Sequence, residues 1–464
     1  MTTRFSARLW RQCTQRLQIR TFAPSALPLL ALVGVGGTAA GAWCQTRPAE
    51  DEVDVVIVGG GIVGASLALS LLRREPGCSI VLVDRATCGS EASGLSAGTI
   101  SCLGAGDGSN PVADLCYRTL TFLKSLRTSS FDFQQGGALL VATTPGQQAH
   151  IKKQMEDSIA HGYTEQQWME HADLRKFEPA LSGAVSAAVF TPLSCHVDPP
   201  ALTHTIVEEA TRKGCMVMEN TPVVSMERVA GEDRAYNVVL GSGGRVLRCR
   251  NLVLATGAWP QAAASLKLKI PVSPVKGQMW VTEELLQGEG LQNNRVLYLA
   301  EAAEYFAKKT SRDDVTGVPA KVTHTKGGTR LTRHGYGKQM SDGRFAFGGD
   351  RVPCEGDDYT VDESGIAASV AHAAELLPAV KDKNLLGSWT GIMGFSKDGR
   401  PLVGHLEPLG LAGVWVAMGF GAHGVMEGPG AAEVLAEWMC TGETPESTLM
   451  AYFDPCRKDG CSKC

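Results

Sequence analysis

The sequence predicts an α/β fold, α+β overall, arranged in at least two lobes, and three observations predict it. A strand, glycine turn, helix and second strand follow one another between Val53 and Arg85. Two later strands also end in glycines, at Asn251 to Gly257 and at Val414 to Gly424. The chain has 464 residues, too many for one ordinary hydrophobic core.

Val55 to Val58 are four consecutive apolar residues, the pattern of a parallel strand buried on both faces. Gly59-Gly60-Gly61-Ile62-Val63-Gly64 follows in the G-x-G-x-x-G spacing. Gly59 permits the tight turn, Gly61 lets a pyrophosphate approach the backbone, and Gly64 lets the helix lie close to the strand. The helix continues through Leu67 to Arg74, its N-terminal amides and dipole facing the phosphates. A second strand, Ser79 to Val83, ends at Asp84, placed where a ribose-binding carboxylate belongs. Together these features mark a dinucleotide-binding unit.

Composition narrows the class. The chain is 44% hydrophobic and 20% charged with a net charge of −4, which describes a globular protein and excludes a general nucleic-acid binder. Its 53 glycines exceed a usual share of about 7%, and tight turns with close backbone approach to a ligand would account for the excess. Fourteen cysteines are scattered, unlike the framework of a small secreted domain. Cys461 and Cys464 form the one C-x-x-C pair, read as reduced thiols on a frayed polar tail; no metal site is expected. Residues 1–49 contain six arginines and no acid, with Arg4, Arg8 and Arg11 on one helical face. That describes a mitochondrial transit peptide. Ser25 to Trp43 is uncharged and mostly apolar, approaching the length of a membrane span. A secretory signal and an anchor in another organelle are the competing readings.

The small-residue loop Gly89 to Gly98 can wrap a flat ligand. Helices are expected at Pro111 to Leu126, Pro145 to His161, Ala172 to Phe177 and Val361 to Leu377. Another, Pro200 to Arg212, has Asp198 as N-cap and Lys213-Gly214 as its end. Strands are expected at Ala138 to Ala142, Ala184 to Phe190, Cys215 to Met218 and Val223 to Met226. A hairpin turns at Gly241 to Gly244 between Tyr236 to Leu240 and Arg245 to Cys249. Asn251 to Gly257 is a buried strand ending on bare backbone. Ile270 to Gln278 reads as a Pro-containing crossover before a strand at Met279 to Thr282. Residues 285–330 are the least legible. Further strands are Phe345 to Gly349, Asn384 to Thr390 and Val414 to Met418. A glycine turn at Gly419 to Gly424 leads to a helix at Gly428 to Trp438, whose N-terminus points at a ligand.

Taken in order, these motifs resemble one family: the FAD-dependent D-amino-acid oxidase, glycine oxidase and sarcosine oxidase superfamily. The likeness rests on Gly59 to Gly64 with Asp84, Ala92-Ser93-Gly94 to Gly98, Val197-Asp198-Pro199, and Ala255 to Trp259. It continues through Pro274 to Gln278, Asp342-Gly-Arg to Gly349, Asp398-Gly-Arg-Pro to Gly404, and His423-Gly424. The resemblance implies a Rossmann-like FAD domain of non-contiguous segments (53–130, 196–275 and 385–440). An inserted antiparallel-sheet substrate domain (131–195 and 276–384) and a tail (441–464) complete the chain. It implies that Gly59, Gly61 and Gly64 hold the pyrophosphate, with Ile62 and Val63, and that Asp84 holds the ribose beside Arg85. Ser93, Gly94, Ala97 and Gly98 would lie along the cofactor, Val223 at the adenine, and Gly257 near the pyrophosphate. Gly394 and the turn carrying His423, Gly424, Val425 and Met426 would face the flavin, partial positive charge stabilising its reduced form.

The implied chemistry is hydride transfer from an amine-bearing carbon to flavin N5, giving an imine that water hydrolyses. Many amino-acid-oxidising relatives carry Arg-Pro where Met393-Gly394 stands here, and that arginine clamps the substrate carboxylate. Its absence points to a substituted amine or amino acid, with Met393 and Arg333 as substrate contacts. The catalytic candidates are Lys276, His334 and Tyr336; His196 reads as a loop histidine and Cys88 and Cys102 as buried thiols. The electron acceptor would be O2 or a respiratory carrier. Two alternatives stay open: a flavin dehydrogenase of a 2-hydroxy acid or glycerol phosphate, and a non-catalytic mitochondrial flavoprotein such as a respiratory-complex assembly factor.

Overall fold

The computed structural model describes residues 52–102, 110–241, 243–300, 335–444 and 451–464. The 1–49 leader, its 25–43 apolar run, Arg333 and His334 lie outside the described residues. Among the described residues, no helix is long and apolar enough to cross a membrane.

The chain begins with β1 (Glu52–Val58), α1 (Ile62–Arg74), β2 (Ile80–Val83), β3 (Thr99–Ile100) and α2 (Asn110–Lys124). It continues through β4 (Ala138–Ala142), α3 (Pro145–Ala160), β5 (Gln167–Glu170), α4 (His171–Phe177), β6 (Ala187–Thr191) and β7 (Cys195–His196). Then come α5 (Pro199–Arg212), β8 (Met216–Met218), β9 (Val223–Arg228), β10 (Tyr236–Leu240) and β11 (Val246–Leu254). The central region holds β12 (Leu268–Lys269), β13 (Val272–Glu284), β14 (Val296–Leu299), β15 (Tyr336–Gln339) and β16 (Arg344–Pro353). The last elements are α6 (Glu363–Leu376), β17 (Leu385–Ser396), β18 (Leu402–Leu406), β19 (Leu411–Met418), α7 (Gly424–Thr441) and β20 (Ser462–Lys463).

Two sheets carry the architecture. The first has the order β18-β19-β11-β1-β2-β8, with the β9-β10 hairpin added on β11. Its centre is parallel, β1 lying between β2 and β11, as four fully buried residues in each of β1 and β2 require. One face packs against α1, α2, α5 and α7 through Leu67, Leu71, Leu115, Ile206 and Leu435. The other face packs against the hairpin and the segment around Leu266. The second sheet, β17-β13-β16-β15-β14-β4-β6-β5, is antiparallel except where β14 meets β4. Its outer face buries Trp280, Phe345 and Phe347 beneath α6.

Helix starts follow local chemistry. The Asp198 carboxylate accepts from Ala201 N at 3.0 Å, capping α5 as expected. Thr144 and Gln147 form a reciprocal capping box on α3. Asp362 caps α6 by accepting from Ser364 N at 3.0 Å.

Several expectations are corrected. The strands expected at Arg245 and Asn251 are one strand, β11. Its first half alternates in burial and pairs with β10, while its last four residues are wholly buried between β1 and β19. That change of pattern mimics a break. The Pro-containing crossover and the strand after it are likewise one strand, β13. Pro274 pairs in register with β17 beyond the reach of β16, so its missing N–H removes no bond toward β16. β17 runs to Ser396 within the second sheet, and the first sheet resumes at Leu402. Helix α7 starts at Gly424, four residues before the expected Gly428, with Pro429 inside it. β5 and β14, which were not expected, are short additions to the second sheet.

The expected frayed tail is also corrected. β20 pairs with β12, and Phe453 and Cys461 are buried. The Arg457 guanidinium donates to both oxygens of Asp398 at 2.8 Å. Charge pairing and apolar burial override the polar composition that suggests fraying.

Candidate functional site

The end of β1 sets the first wall. Gly59 has φ of 110°, and its N donates to Val83 O at 2.8 Å. A Cβ at Gly64 would overlap the Gly59 carbonyl; glycine there brings α1 onto the turn. The Gly60 N–H donates to Asp84 Oδ2 at 2.6 Å and the Ala86 N–H to Oδ1 at 2.8 Å. Burial raises the Asp84 carboxyl, and these two amides oppose the rise. Each oxygen keeps acceptor capacity for a ribose hydroxyl. The Ile62 N–H donates to Ser93 Oγ at 2.9 Å, joining the small-residue loop to the start of α1.

From this wall a partly open cleft extends between the two sheets. Gly61, Ile62 and Val63 border it on one side, and Ser93 and the residues from Leu95 to Thr99 on another. Ala255 and Gly257 at the end of β11 continue the lining, as do Gly424, Val425 and Met426 at the start of α7. The second sheet forms a roof, presenting Gly277, Met279, Tyr336, Gly391, Met393 and Gly394. The roof is tied down where Trp389 Nε1 donates to Leu95 O at 2.9 Å.

The residues present fit the expected FAD. A Cβ at Gly257 would have nothing nearer than the Trp259 ring at 3.9 Å, and one at Gly424 nothing nearer than Phe420 at 3.9 Å. Glycine at both places leaves that space to a ligand. The α7 N-terminus opens on the cavity and carries partial positive charge. Bare backbone, a helix dipole at each end and a carboxylate beside the first turn suit a long, flat dinucleotide.

The expected cofactor residues divide by task. Gly61, Ile62, Val63, Ser93, Ala97, Gly98, Gly257, Gly394, Gly424, Val425 and Met426 line the cavity. Gly59 and Gly94 serve by packing, since a Cβ on either would overlap backbone. A Cβ on Gly394 would lie 2.6 Å from Gly257 O, so glycine there lets the roof reach the first sheet. Val223 starts β9, and Thr221 N donates to Asp84 O at 2.8 Å, which brings that strand to the Asp84 end.

Arg85 and His423 do not line the cavity. Arg85 stacks on the Trp259 ring at 4.0 Å and pairs with Glu91 and Asp357. His423 is half exposed, its Nδ1 3.1 Å from Glu427.

Lys276, expected as a catalytic candidate, lies outside the cavity lining. Its neighbours Gly277 and Met279 line the cavity, whereas its own ammonium donates to Asp358 at 2.7 Å and to Thr360 O at 2.8 Å. Strand alternation turns it to the outer face. Tyr336 does line the cavity; burial raises its phenol, so it stays a neutral donor and acceptor at ordinary pH. Tyr298 stands opposite it in register, the rings 6.5 Å apart. The sequence expectations omit Met279, although the alternation of β13 through Val275, Gly277 and Met279 carries a signal for it.

Cys88 and Cys102 are free thiols outside the lining. Burial pushes Cys102 up to about 12, which keeps it protonated and unreactive. His196 is buried on β7, paired with Thr99. Burial, then Lys338, lower it to about 3, so it is neutral. Among the described residues no group of three or more His, Cys, Asp or Glu could hold a metal.

Comparison with known proteins agrees with this geometry. The family described as DAO, FAD dependent oxidoreductase, matches residues 54–438. The chain is 25% identical to human mitochondrial dimethylglycine dehydrogenase over 406 residues, covering 85% of this chain but 43% of that protein. It therefore spans under half the length of that relative. It is 25% identical to glycine oxidase of Geobacillus kaustophilus, covering 81% of this chain and 90% of that one. The solved L-proline dehydrogenase from P. horikoshii superposes with a TM-score of 0.73 at 22% identity, covering 88% of this chain and 98% of that one.

Proposed function

Since the chain belongs to the FAD dependent oxidoreductase family, we propose that it oxidises a C–N bond of an amine or substituted amino acid. The observation that carries the reading is the roof: an antiparallel sheet places Tyr336, Met279 and Met393 over a glycine cradle that fits FAD. Dimethylglycine dehydrogenase and glycine oxidase, to which the chain is similar, act by name on amines of this kind.

FAD, when bound, supplies the acceptor for a hydride and its electron pair. The chain's own residues align and exclude. Gly277, Gly391 and Gly394 let the roof approach closely, and Met279 and Met393 present apolar surface that displaces water from the reacting carbon. The Tyr336 hydroxyl offers one donor and one acceptor to a polar substrate group. The α7 N-terminus places partial positive charge where negative charge develops at the far end of the cavity. The substrate leaves as an imine, which water hydrolyses to a carbonyl compound and an amine.

An acid-free, Arg-rich leader and similarity to mitochondrial dehydrogenases support a mitochondrial setting, with O2 or a respiratory carrier as electron acceptor and residues 25–43 as a membrane contact. The test is anaerobic loss of the flavin band on a panel of secondary and tertiary amines, amino acids, 2-hydroxy acids and glycerol phosphate. Bleaching by amines alone supports the proposal. Bleaching by hydroxy acids or glycerol phosphate alone replaces it with the hydroxyl-oxidising reading. Bleaching by none leaves the non-catalytic flavoprotein.

A further inference from the structure

The roof sheet ends at β17, and one corner of that edge is apolar. Among the described residues β17 pairs with β13 on one side and with no strand on the other. Leu385 and Leu386 at its start are 40% and 57% exposed, and Leu286 is 65% exposed. The turn carrying Leu286 is held beside them. Glu283 N donates to Asn384 O at 2.9 Å, and Lys383 pairs with Glu289 at 2.7 Å. Leu386 is an extra residue, since Val281 pairs with Gly387 and the next residue, Thr282, with Leu385. Such a bulge leaves its side chain standing out from the ladder.

Beside this knob lies a groove. The start of β17 and the outward side of α6 enclose it, and Val361, Ala367, Val370, Ala371, Ala374 and Leu385 line it. Two exposed charges border it: Glu363, which opens α6, and Lys381, which follows the last turn of α6. A helix of this length is about 20 Å long, so the two charges mark opposite ends. β17 runs back along α6. It starts just after Lys381, and its Thr390 Oγ1 donates at 2.8 Å to Tyr359 O, ahead of the first turn of α6. The leucine knob and the positive charge therefore stand at one end of the groove, and the negative charge at the other.

We propose that a second copy of this chain covers the groove, forming a twofold dimer through α6 and the start of β17. The surface is self-complementary under a twofold rotation. Rotated about the middle of the groove, near Val370, the second copy brings its Leu386 to the Glu363 end of the first groove and its Lys381 to Glu363. The exchange is reciprocal, so two apolar contacts and two ion pairs form together and the contact closes at two copies. Exposed leucines beside an apolar groove at an unpaired sheet edge are a surface that needs covering. The interface backs the site. Trp280 Nε1 in the roof donates to Ser369 Oγ on α6 at 3.0 Å, and β17 goes on to present Gly391 and Met393 to the cleft.

The test is sedimentation of the FAD-loaded full chain over roughly a hundredfold range of protomer concentration, and it needs no turnover. The wild type is expected to be a dimer at the upper end. L386D should weaken association on the order of a hundredfold, because two leucine side chains lose their burial in each dimer. E363K and K381E each set like charges against one another at both ends of the interface and should weaken it about tenfold. The double variant E363K/K381E restores opposite charges in exchanged places and should return to within about threefold of the wild type. The flavin-to-protein absorbance ratio checks that each variant is folded; if L386D loses FAD, the charge series carries the comparison. A wild type that stays monomeric throughout, its groove covered by another part of this chain or by a different protein, overturns the proposal. So does a dimer that a folded L386D leaves intact, or a double variant that associates no more tightly than the single reversals.

Discussion

Replacing Arg457 with methionine should loosen the junction between the two sheets. Arg457 donates to Asp398 Oδ2 and Oδ1 at 2.8 Å, to Arg400 O at 2.6 Å, to Asp454 O at 2.9 Å and to Pro401 O at 3.0 Å. Its side chain is 8% exposed and that of Asp398 16%. Asp398 sits in the turn between β17, in the cavity roof, and β18, in the first sheet. Breaking a buried ion pair typically costs about 3–5 kcal/mol. Arg400 still donates to Asp398 at 2.8 and 3.0 Å, which lowers the expected loss to about 2–3 kcal/mol. Thermal unfolding should then shift down by roughly 2–3 °C at pH 7, since about 2.1 cal/mol/K per residue over a chain of this size makes each kcal/mol worth about one degree. The pH dependence has a definite sign. Burial pushes the Asp398 carboxyl up, but Arg457 and Arg400 outweigh it and hold the group well below the usual range. The pair therefore stabilises the fold above the unfolded value of about 3.9 and loses that contribution as pH falls below it. The assay is unfolding followed by flavin release at pH 7 and, in denaturant, at pH 3. An unchanged midpoint at pH 7, or an equal gap at both pH values, would refute the reasoning.

Three further outcomes are expected. Gly64→Ala forces a Cβ into the Gly59 carbonyl and should separate α1 from β1 at a cost of about 1–3 kcal/mol; equilibrium dialysis should show FAD affinity at least tenfold weaker. Lys276→Met removes an outer-face ammonium; stopped-flow flavin reduction should stay within about twofold while the melting temperature falls slightly, and a large rate loss would return Lys276 to the chemistry. His196 is held neutral to about 3 by burial and by Lys338, against Asp132. The unfolded chain takes up a proton below about 6.5 that the folded chain refuses, so stability falls as pH drops from there toward 3. His196→Leu should flatten that limb in denaturant titrations.

Much of the fold was legible because the signals are local. Four apolar residues in β1, glycines at set spacing and Asp84 describe one continuous unit, and its packing follows from steric fit within about thirty residues. Asp198 as an N-cap is equally local. The misreadings share a cause: neighbours distant in sequence. β11 and β13 read as broken because each changes partners along its length. The tail reads as frayed because Asp398, which holds Arg457, is far upstream.

The sequence by itself determined the cofactor class, since a dinucleotide is held by backbone at short-range turns where only glycine fits. Tertiary structure alone decided the roof. Whether a β-strand side chain meets the cavity depends on pleat, pairing and bulge, and one extra residue reverses it. Lys276 faces away by alternation, and Asp350 joins Gln278 on the outer face because Gly349 shifts the register. The composition of either strand is silent on that choice, because both faces of the roof are buried.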